Sequence, residues 1–116
     1  MEYTVLQIAR LIEAEFLASF LPESNTISTI SIDSRNIKNT NHTVFFAIVG
    51  ARNNGHQFIQ NLYKEGIRNF VVSDKKCFDP NYKDSNFLFV KDTLQALQLL
   101  AKQHRACFNF PIIGIT

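Results

Sequence analysis

The sequence is poor in residues that stabilise small secreted domains or bind metals. Its 116 residues contain no tryptophan, three prolines and only two cysteines, Cys77 and Cys107. The cysteines show neither a CxxC pair nor a Cys/His ligand spacing, which argues against a zinc site. Two scattered cysteines favour free thiols in a reducing compartment, with a disulfide between them as the alternative.

Strong charge and long apolar runs are also lacking. The formal net charge is +2, too small to indicate the clustered basic face of a nucleic-acid-binding protein. The basic pair Lys75-Lys76 falls in a predicted loop and indicates a solvated surface. No apolar run approaches the roughly 18 residues of a membrane span, and residues 1–4 lack the features of a signal peptide. We therefore expect a cytoplasmic protein that binds neither nucleic acid nor membrane.

The chain does have apolar residues in regular patterns. Hydrophobic residues make up 46% of it, with eleven phenylalanines, which is enough for the core of one domain. Periodicity predicts helices over 4–14 and 57–65 and a third from Asp92 or Thr93 to about Cys107; strands are predicted over 27–32, 44–49, 69–73 and 87–90.

Local signals support these boundaries. Thr4 and Gln7 match a capping box, and Gly66 stands where a helix C-cap needs a left-handed residue. The run VFFAIV (44–49) is typical of a strand buried on both faces. Together these elements predict an α/β fold with a small mixed or mostly parallel sheet flanked by helices.

Two segments have functional character, because each follows a predicted strand. In α/β sheets, ligands bind where loops converge at the carboxyl ends of strands. After the first strand, Asp33-Ser34-Arg35 offers a hydroxyl and a guanidinium suited to phosphate or carboxylate. The alternative is that these are three common turn residues, with Asp33 bridging Arg35 or capping the turn.

The second segment runs from Gly50 to His56. Gly50 and Gly55 would let the backbone approach a ligand, and the amides at the start of the helix at Gln57 would favour an anion. The alternatives are glycines that only shape the loop and a His56 that caps the helix. A nucleophile–base set, paired carboxylates and the G-x-x-x-x-G-K-[ST] phosphate loop are missing from the sequence, so we predict no catalytic residue and no metal ligand in this chain.

Read together, the segments resemble the N-terminal domain of the Mur ligases. The resemblance lies in the order of Asp33-Ser34-Arg35, VFFAIVG (44–50), NGHQFI (54–59) and EGIRNFVV (65–72). VKDTLQAL (90–97) and AKQHR (101–105) look more like the MurF branch than the MurE branch. PIIGIT (111–116) is similar to the strand that leads into the ATP loop of this family. The long spacing after Asp33-Ser34-Arg35, together with LYKEGIRNFVVS (62–73), looks like the MurF version fused to an alanine racemase.

The resemblance implies a ligase of peptidoglycan synthesis that uses ATP and Mg²⁺ to join D-Ala-D-Ala to UDP-N-acetylmuramoyl-tripeptide. Residues 1–110 would be the domain that binds the UDP part, and 111–116 the first strand of an ATP-binding central domain. By motif position, Ser34 would contact uridine or diphosphate, Arg35 would approach phosphate or support the loop, and Ala51, Arg52 and Asn53 would meet the uracil. ATP and Mg²⁺ would belong to the parent enzyme, so the fragment alone is predicted to be inactive.

The sequence departs from the family pattern at two places. Residues 39–43 replace a shorter turn, and Asn54 stands where aspartate is common. These departures affect the assignment of exact contacts more than the resemblance itself.

Two alternative functions stay open, a MurE-type ligase domain and a stand-alone α/β module that binds a protein partner through exposed phenylalanines.

Overall fold

The structure is a computed structural model that describes residues 3–33, 40–51 and 54–104, without the side chains of 103 and 104. The strands are β1 (Tyr3–Thr4), β2 (Glu15–Ala18), β3 (Thr26–Ile27), β4 (Thr29–Ser31), β5 (Thr43–Phe46), β6 (Asn69–Val72) and β7 (Asn86–Phe89). The helices are α1 (Val5–Leu11), α2 (Ile59–Lys64) and α3 (Thr93–His104). Short 3₁₀ turns cover Thr40–His42, Gly55–Phe58 and Lys75–Cys77.

The main sheet has five strands in the order β2-β7-β6-β5-β4. Strands β4, β5, β6 and β7 are parallel, and β2 pairs antiparallel with β7 at one edge. A second, two-stranded sheet joins β1 to β3. The predicted α/β class with a mostly parallel sheet is confirmed.

Helices cover both faces of the main sheet because side chains of a strand point alternately to opposite faces. On β5, Val44 and Phe46 belong to the cluster that contains the buried residues of α1 and α3. Phe45 belongs to the opposite cluster, with Ile59 and Leu62 of α2. The continuous apolar run of β5 therefore reflects burial on both sides, as predicted.

The predicted caps are present at three helix ends. Thr4 and Gln7 form the capping box of α1, each side chain accepting the other's backbone N–H. Asp92 Oδ1 accepts from the amides of Leu94 and Gln95 at the start of α3. Gly66 follows α2 with φ +111°, a conformation that glycine adopts without a steric penalty.

Several elements differ from the prediction. The helix expected over 4–14 covers only Val5–Leu11, because the chain turns there and enters β2 at Glu15. The strand expected over 27–32 is two short strands, because the Ser28 amide turns to the His42 carbonyl. The strand expected over 44–49 leaves the ladder after Phe46, and Val49 is 53% exposed. Strand β2 was not predicted, because its four residues carry no clear alternation and only one edge is paired.

Buried asparagines join the strands at the amino end of the sheet. Asn69 donates to the Thr43 carbonyl at 3.1 Å, and Asn86 donates to Asn69 Oδ1 at 3.0 Å. Asn86 also accepts from the Phe20 amide at 2.8 Å. These side chains satisfy backbone groups that buried strand ends would otherwise leave unpaired.

Within the described residues, every helix is too short or too polar to cross a lipid bilayer.

Candidate functional site

The candidate site lies at the carboxyl end of the parallel strands, where the polar segments singled out in the sequence occur. Its best-described part is the segment after β5, which we call the β5 loop (residues 47–55, with 52 and 53 outside the described residues). The loop starts from a fixed point. The Ala47 amide donates to the Val71 carbonyl of β6 at 2.9 Å, and the Ala47 carbonyl accepts from the buried Thr93 hydroxyl at 2.8 Å.

The two ends of the β5 loop close on each other. Val49 and Asn54 form an antiparallel bridge, and the Gly55 amide donates to the Ile48 carbonyl at 2.8 Å. Gly50 and Ala51 lie in the exposed part between these contacts. The loop is thus held at its base, and Gly50 and Ala51 are exposed to solvent.

Gly55 is required where the loop closes. A Cβ at this position would lie 2.8 Å from Ile48 N and 2.9 Å from Ala47 Cα. Both are backbone atoms, so neither can rotate away. Gly55 was predicted to let the backbone approach a ligand, with a role in shaping the loop as the alternative; this contact with Ala47 and Ile48 supports the alternative and involves no ligand.

Asn54 organises the turn that follows. Its Oδ1 accepts from the His56 amide at 3.0 Å, and its carbonyl accepts from the Gln57 amide at 3.1 Å. With the Gly55 amide bonded to Ile48, all three amides already have protein acceptors. The expectation that the start of this helix offers free amides to an anion is therefore wrong at these positions.

His56 is not the cap of the helix, because Asn54 has that role. The half-buried His56 ring instead bridges two loops, with Nδ1 against Asn54 Oδ1 and Nε2 accepting from the Ser73 amide at 2.9 Å. Burial lowers the pKa of His56 from its ordinary value of 6.5, and the nearby Asp74 carboxylate opposes that effect. The ring is therefore neutral at pH 7.

The segment after β4 is described only as far as Asp33. Ser31 Oγ donates to the Asp33 carbonyl at 2.7 Å, and the Asp33 amide donates back to Ser31 Oγ at 3.2 Å. Because β4 and β5 are parallel neighbours, this turn lies at the same carboxyl end of the sheet as the β5 loop. Ser34 and Arg35 follow directly, but they lie outside the described residues, as do Arg52 and Asn53.

Two residues that support this site, Thr93 and Ser73, were not predicted to do so from the sequence. Thr93 was considered as a helix cap, but its hydroxyl holds the start of the β5 loop, while Asp92 does the capping. Ser73 contributes only its backbone N–H. The signal available for Thr93 was its position directly after Asp92, a better capping residue that leaves the threonine hydroxyl free for another contact. The Ser73 contact uses a backbone N–H, so it leaves no signal in the sequence.

Across the described ranges, no three His, Cys, Asp or Glu side chains come together as metal ligands. The sequence also lacks the G-x-x-x-x-G-K-[ST] phosphate loop. Cys77 is a free, half-buried thiol that donates to the Asp74 carbonyl at 2.8 Å. Burial and the Asp74 charge raise its pKa from 9.0 to about 11, which is unsuited to a nucleophile at neutral pH.

Comparison with known proteins gives a family match over most of the chain. Residues 26–105 match the family described as "Mur ligase family, catalytic domain". The chain is 39% identical over 93 residues to the UDP-N-acetylmuramoyl-L-alanyl-D-glutamate–2,6-diaminopimelate ligase of Clostridium tetani, covering 78% of this chain and 19% of that protein. It is 30% identical over 113 residues to the UDP-N-acetylmuramoyl-tripeptide–D-alanyl-D-alanine ligase of Bacillus subtilis, covering 97% of this chain and 24% of that protein.

Solved structures agree on the fold. A crystal structure of MurF from Acinetobacter baumannii superposes with a TM-score of 0.73 at 24% identity, over 91% of this chain and 22% of that one. The chain thus spans roughly a fifth to a quarter of the length of the relatives it matches.

Proposed function

Because the chain belongs to the Mur ligase family, we propose that it is the domain that binds the UDP part of UDP-N-acetylmuramoyl-tripeptide, in a ligase that adds D-Ala-D-Ala during peptidoglycan synthesis. The observation that carries the proposal is that the turn after β4, described as far as Asp33, and the β5 loop lie at the same carboxyl end of the parallel strands, with the β5 loop held at its base by Ala47, Gly55 and Asn54. A loop fixed before binding loses little conformational entropy when a ligand arrives.

In this proposal the residues divide into contacts and supports. Ser34, Arg35, Ala51, Arg52 and Asn53 are the proposed contacts with uridine and diphosphate. Gly50, Gly55 and His56 shape the loop that carries the last three of them. A guanidinium with its planar fork of donors suits diphosphate oxygens, whereas uracil is matched by backbone donors and acceptors of an exposed loop.

ATP and Mg²⁺ belong, in this proposal, to another part of a longer enzyme, with residues 1–110 as the nucleotide-substrate domain and 111–116 as the first strand of the next one. The described residues carry no group that would activate a carboxylate, so their contribution is to bind and orient. ATP-dependent chemistry on a nucleotide-linked substrate is cytoplasmic chemistry, and we propose that location.

A titration of the isotope-labelled chain with UDP-N-acetylmuramoyl-tripeptide, followed by amide NMR shifts, tests the proposal. We expect the largest shifts in residues 33–35 and 50–56. Ser34→Ala should weaken binding about tenfold or more, since a hydrogen bond to a charged group contributes about 1.5–3 kcal/mol. Ser28→Ala, at an exposed serine near the amino end of β4, is the matched control. Shifts confined to other surfaces, or no binding at millimolar ligand, would refute the proposal.

A second candidate is a MurE-type ligase, which the 39% identity to the Clostridium tetani protein favours. The alignment over 97% of the chain favours the MurF type. Both types would share the UDP-binding role, so the deciding experiment is an amide-forming assay of the full-length enzyme. Formation of product from the tripeptide substrate with D-Ala-D-Ala supports MurF, whereas addition of a single amino acid to the dipeptide substrate supports MurE.

A further inference from the structure

The His56 ring joins the β5 loop to the end of the neighbouring strand β6. Both ring nitrogens have partners, Nδ1 at the Asn54 side chain and Nε2 at the Ser73 amide. A backbone N–H can only donate, so Nε2 must be unprotonated. The His56 backbone N–H also donates to Asn54 Oδ1, which fixes that atom as an oxygen acceptor, so Nδ1 must carry the hydrogen. The contacts therefore select one neutral tautomer.

The His56 ring supports the β5 loop at Asn54, the residue at which the loop closes on Val49. Asn54 both bridges Val49 and caps the turn that starts at Gly55. The ring fixes the Asn54 side chain and, through Nε2, anchors it to a strand that carries its own ladder contacts to β5 and β7. Loss of the Nε2 acceptor would leave the half-buried Ser73 amide without its partner.

We propose that His56, in its neutral Nδ1–H form, is the positioning residue of the β5 loop, and that protonation at Nε2 breaks the link between Asn54 and Ser73 while the Ala47–Val71 hydrogen bond to β6 remains. The consequence for ligand affinity rests on the proposed function, since it assumes that the β5 loop meets the uracil. The contacts of the His56 ring with Asn54 and Ser73 do not depend on any ligand.

Burial of the ring and the charge near it together set the pH at which the contact is lost. Among the described residues, Asp74, next to Ser73, is the charged group that acts on the ring, and it favours the protonated form. The other neighbours along the chain, Asn54, Gln57 and Phe58, are uncharged. Burial outweighs Asp74, so the pKa of His56 is lowered and loss of the contact is expected only below pH 6.5.

The first measurement is the tautomer in the ligand-free chain. Long-range ¹H–¹⁵N spectra at pH 7.5 should show His56 with a protonated Nδ1 and an unprotonated Nε2. On acidification, the amide signals of Ser73, Asn54 and Gly55 should shift together. The pH midpoint of these shifts should equal the pH midpoint at which the His56 ring takes up its proton. The opposite tautomer, or a Ser73 amide that does not follow the ring, overturns the proposal.

Asn54→Asp is the informative variant. A carboxylate in place of the amide keeps both acceptor contacts and favours the imidazolium, so the shared midpoint of His56 and Ser73 should move to higher pH. The matched control is His42→Gln, which lies at the amino end of the parallel strands, directly before β5. It should leave that midpoint unchanged. A midpoint that Asn54→Asp does not move contradicts the assigned contact.

The binding measurement uses UDP-N-acetylmuramoyl-tripeptide, because its diphosphate is substituted at both ends and lacks the phosphate group that titrates near pH 6. If only the neutral form is competent, the apparent Kd should rise about tenfold for each pH unit below the His56 midpoint. A Kd that stays constant while the ring titrates refutes the positioning role. Absence of binding at every pH refutes the proposed function instead, and the positioning claim is then decided by the Ser73 and Gly55 shifts.

Discussion

Gly55 illustrates how a single missing side chain can fix a loop. The nearest atoms to a Cβ there are Ile48 N and Ala47 Cα, both under 3.0 Å away. Gly55→Ala must therefore push two backbone segments apart and weaken the Gly55–Ile48 hydrogen bond. We expect it to lower the free energy of unfolding by about 1–3 kcal/mol, the usual cost of overpacking, measured by chemical denaturation.

The control for this prediction is Gln60→Ala, an exposed position on α2. Surface substitutions of this kind usually change stability by less than about 0.5 kcal/mol. If Gly55→Ala were as stable as Gln60→Ala, the close approach at the loop base would be refuted.

Cys77 gives a second prediction for a single residue. Raising its pKa from 9.0 to about 11 lowers the thiolate fraction at pH 8 about 100-fold. Alkylation of Cys77 by iodoacetamide, followed by mass spectrometry in a Cys107→Ser background, should be slow in the native chain and fast in denaturant. Equal rates in both conditions would contradict the burial of this thiol.

At the scale of secondary-structure elements, the Thr93 hydroxyl joins α3 to the β5 loop through a buried hydrogen bond. Thr93→Val keeps the side-chain shape but leaves the buried Ala47 carbonyl without its donor. We expect a loss of about 1–3 kcal/mol in the free energy of unfolding. Thr93→Ser keeps the hydroxyl and should recover most of that loss, so equal stabilities of the valine and serine variants would argue against the hydrogen bond.

Elements with strong local signals were predictable from the sequence. The capping box at Thr4, the left-handed Gly66 and the doubly buried β5 each depend on residues close together in the chain. Strand β2 was not, because its pairing with β7 is decided by a partner about seventy residues away. Long-range pairing of a short edge strand leaves little pattern in its own residues.

The sequence predicted where the candidate site lies better than it predicted which contacts form the site. The rule that loops converge at the carboxyl ends of parallel strands identified the β5 loop. Its glycines were predicted to let the backbone approach a ligand, whereas Gly55 makes room for Ala47 and Ile48. The roles of Thr93, Ser73 and the His56 ring required coordinates, because each contact joins segments that are distant in the sequence. The binding roles of Ser34, Arg35, Ala51, Arg52 and Asn53 remain predictions.

At the scale of the whole molecule, His56 makes stability depend on pH. The unfolded ring takes up its proton at the ordinary value of 6.5, whereas the folded ring does so at lower pH. As pH falls below 6.5 the unfolded state therefore binds more protons and is favoured. Stability from this residue is present above pH 6.5 and is lost as pH falls toward the folded-state pKa.

Chemical denaturation between pH 5 and 8 checks this linkage. His56→Phe lacks the titrating ring, so its free energy of unfolding should fall less steeply over that range than that of the unmodified chain. His42→Gln, as before, is the control at a histidine away from the loop. Identical slopes for the unmodified chain and His56→Phe would rule out a contribution from His56.

The strand order also governs assembly during synthesis. Strand β2 emerges from the ribosome before every other strand of the main sheet, yet its partner β7 is the last of them to be made. Contacts so far apart in sequence form slowly, because a long loop must close first. The nascent chain therefore carries β2 without its partner until Asn86–Phe89 have been made, and the parallel strands must assemble before β2 can pair with β7.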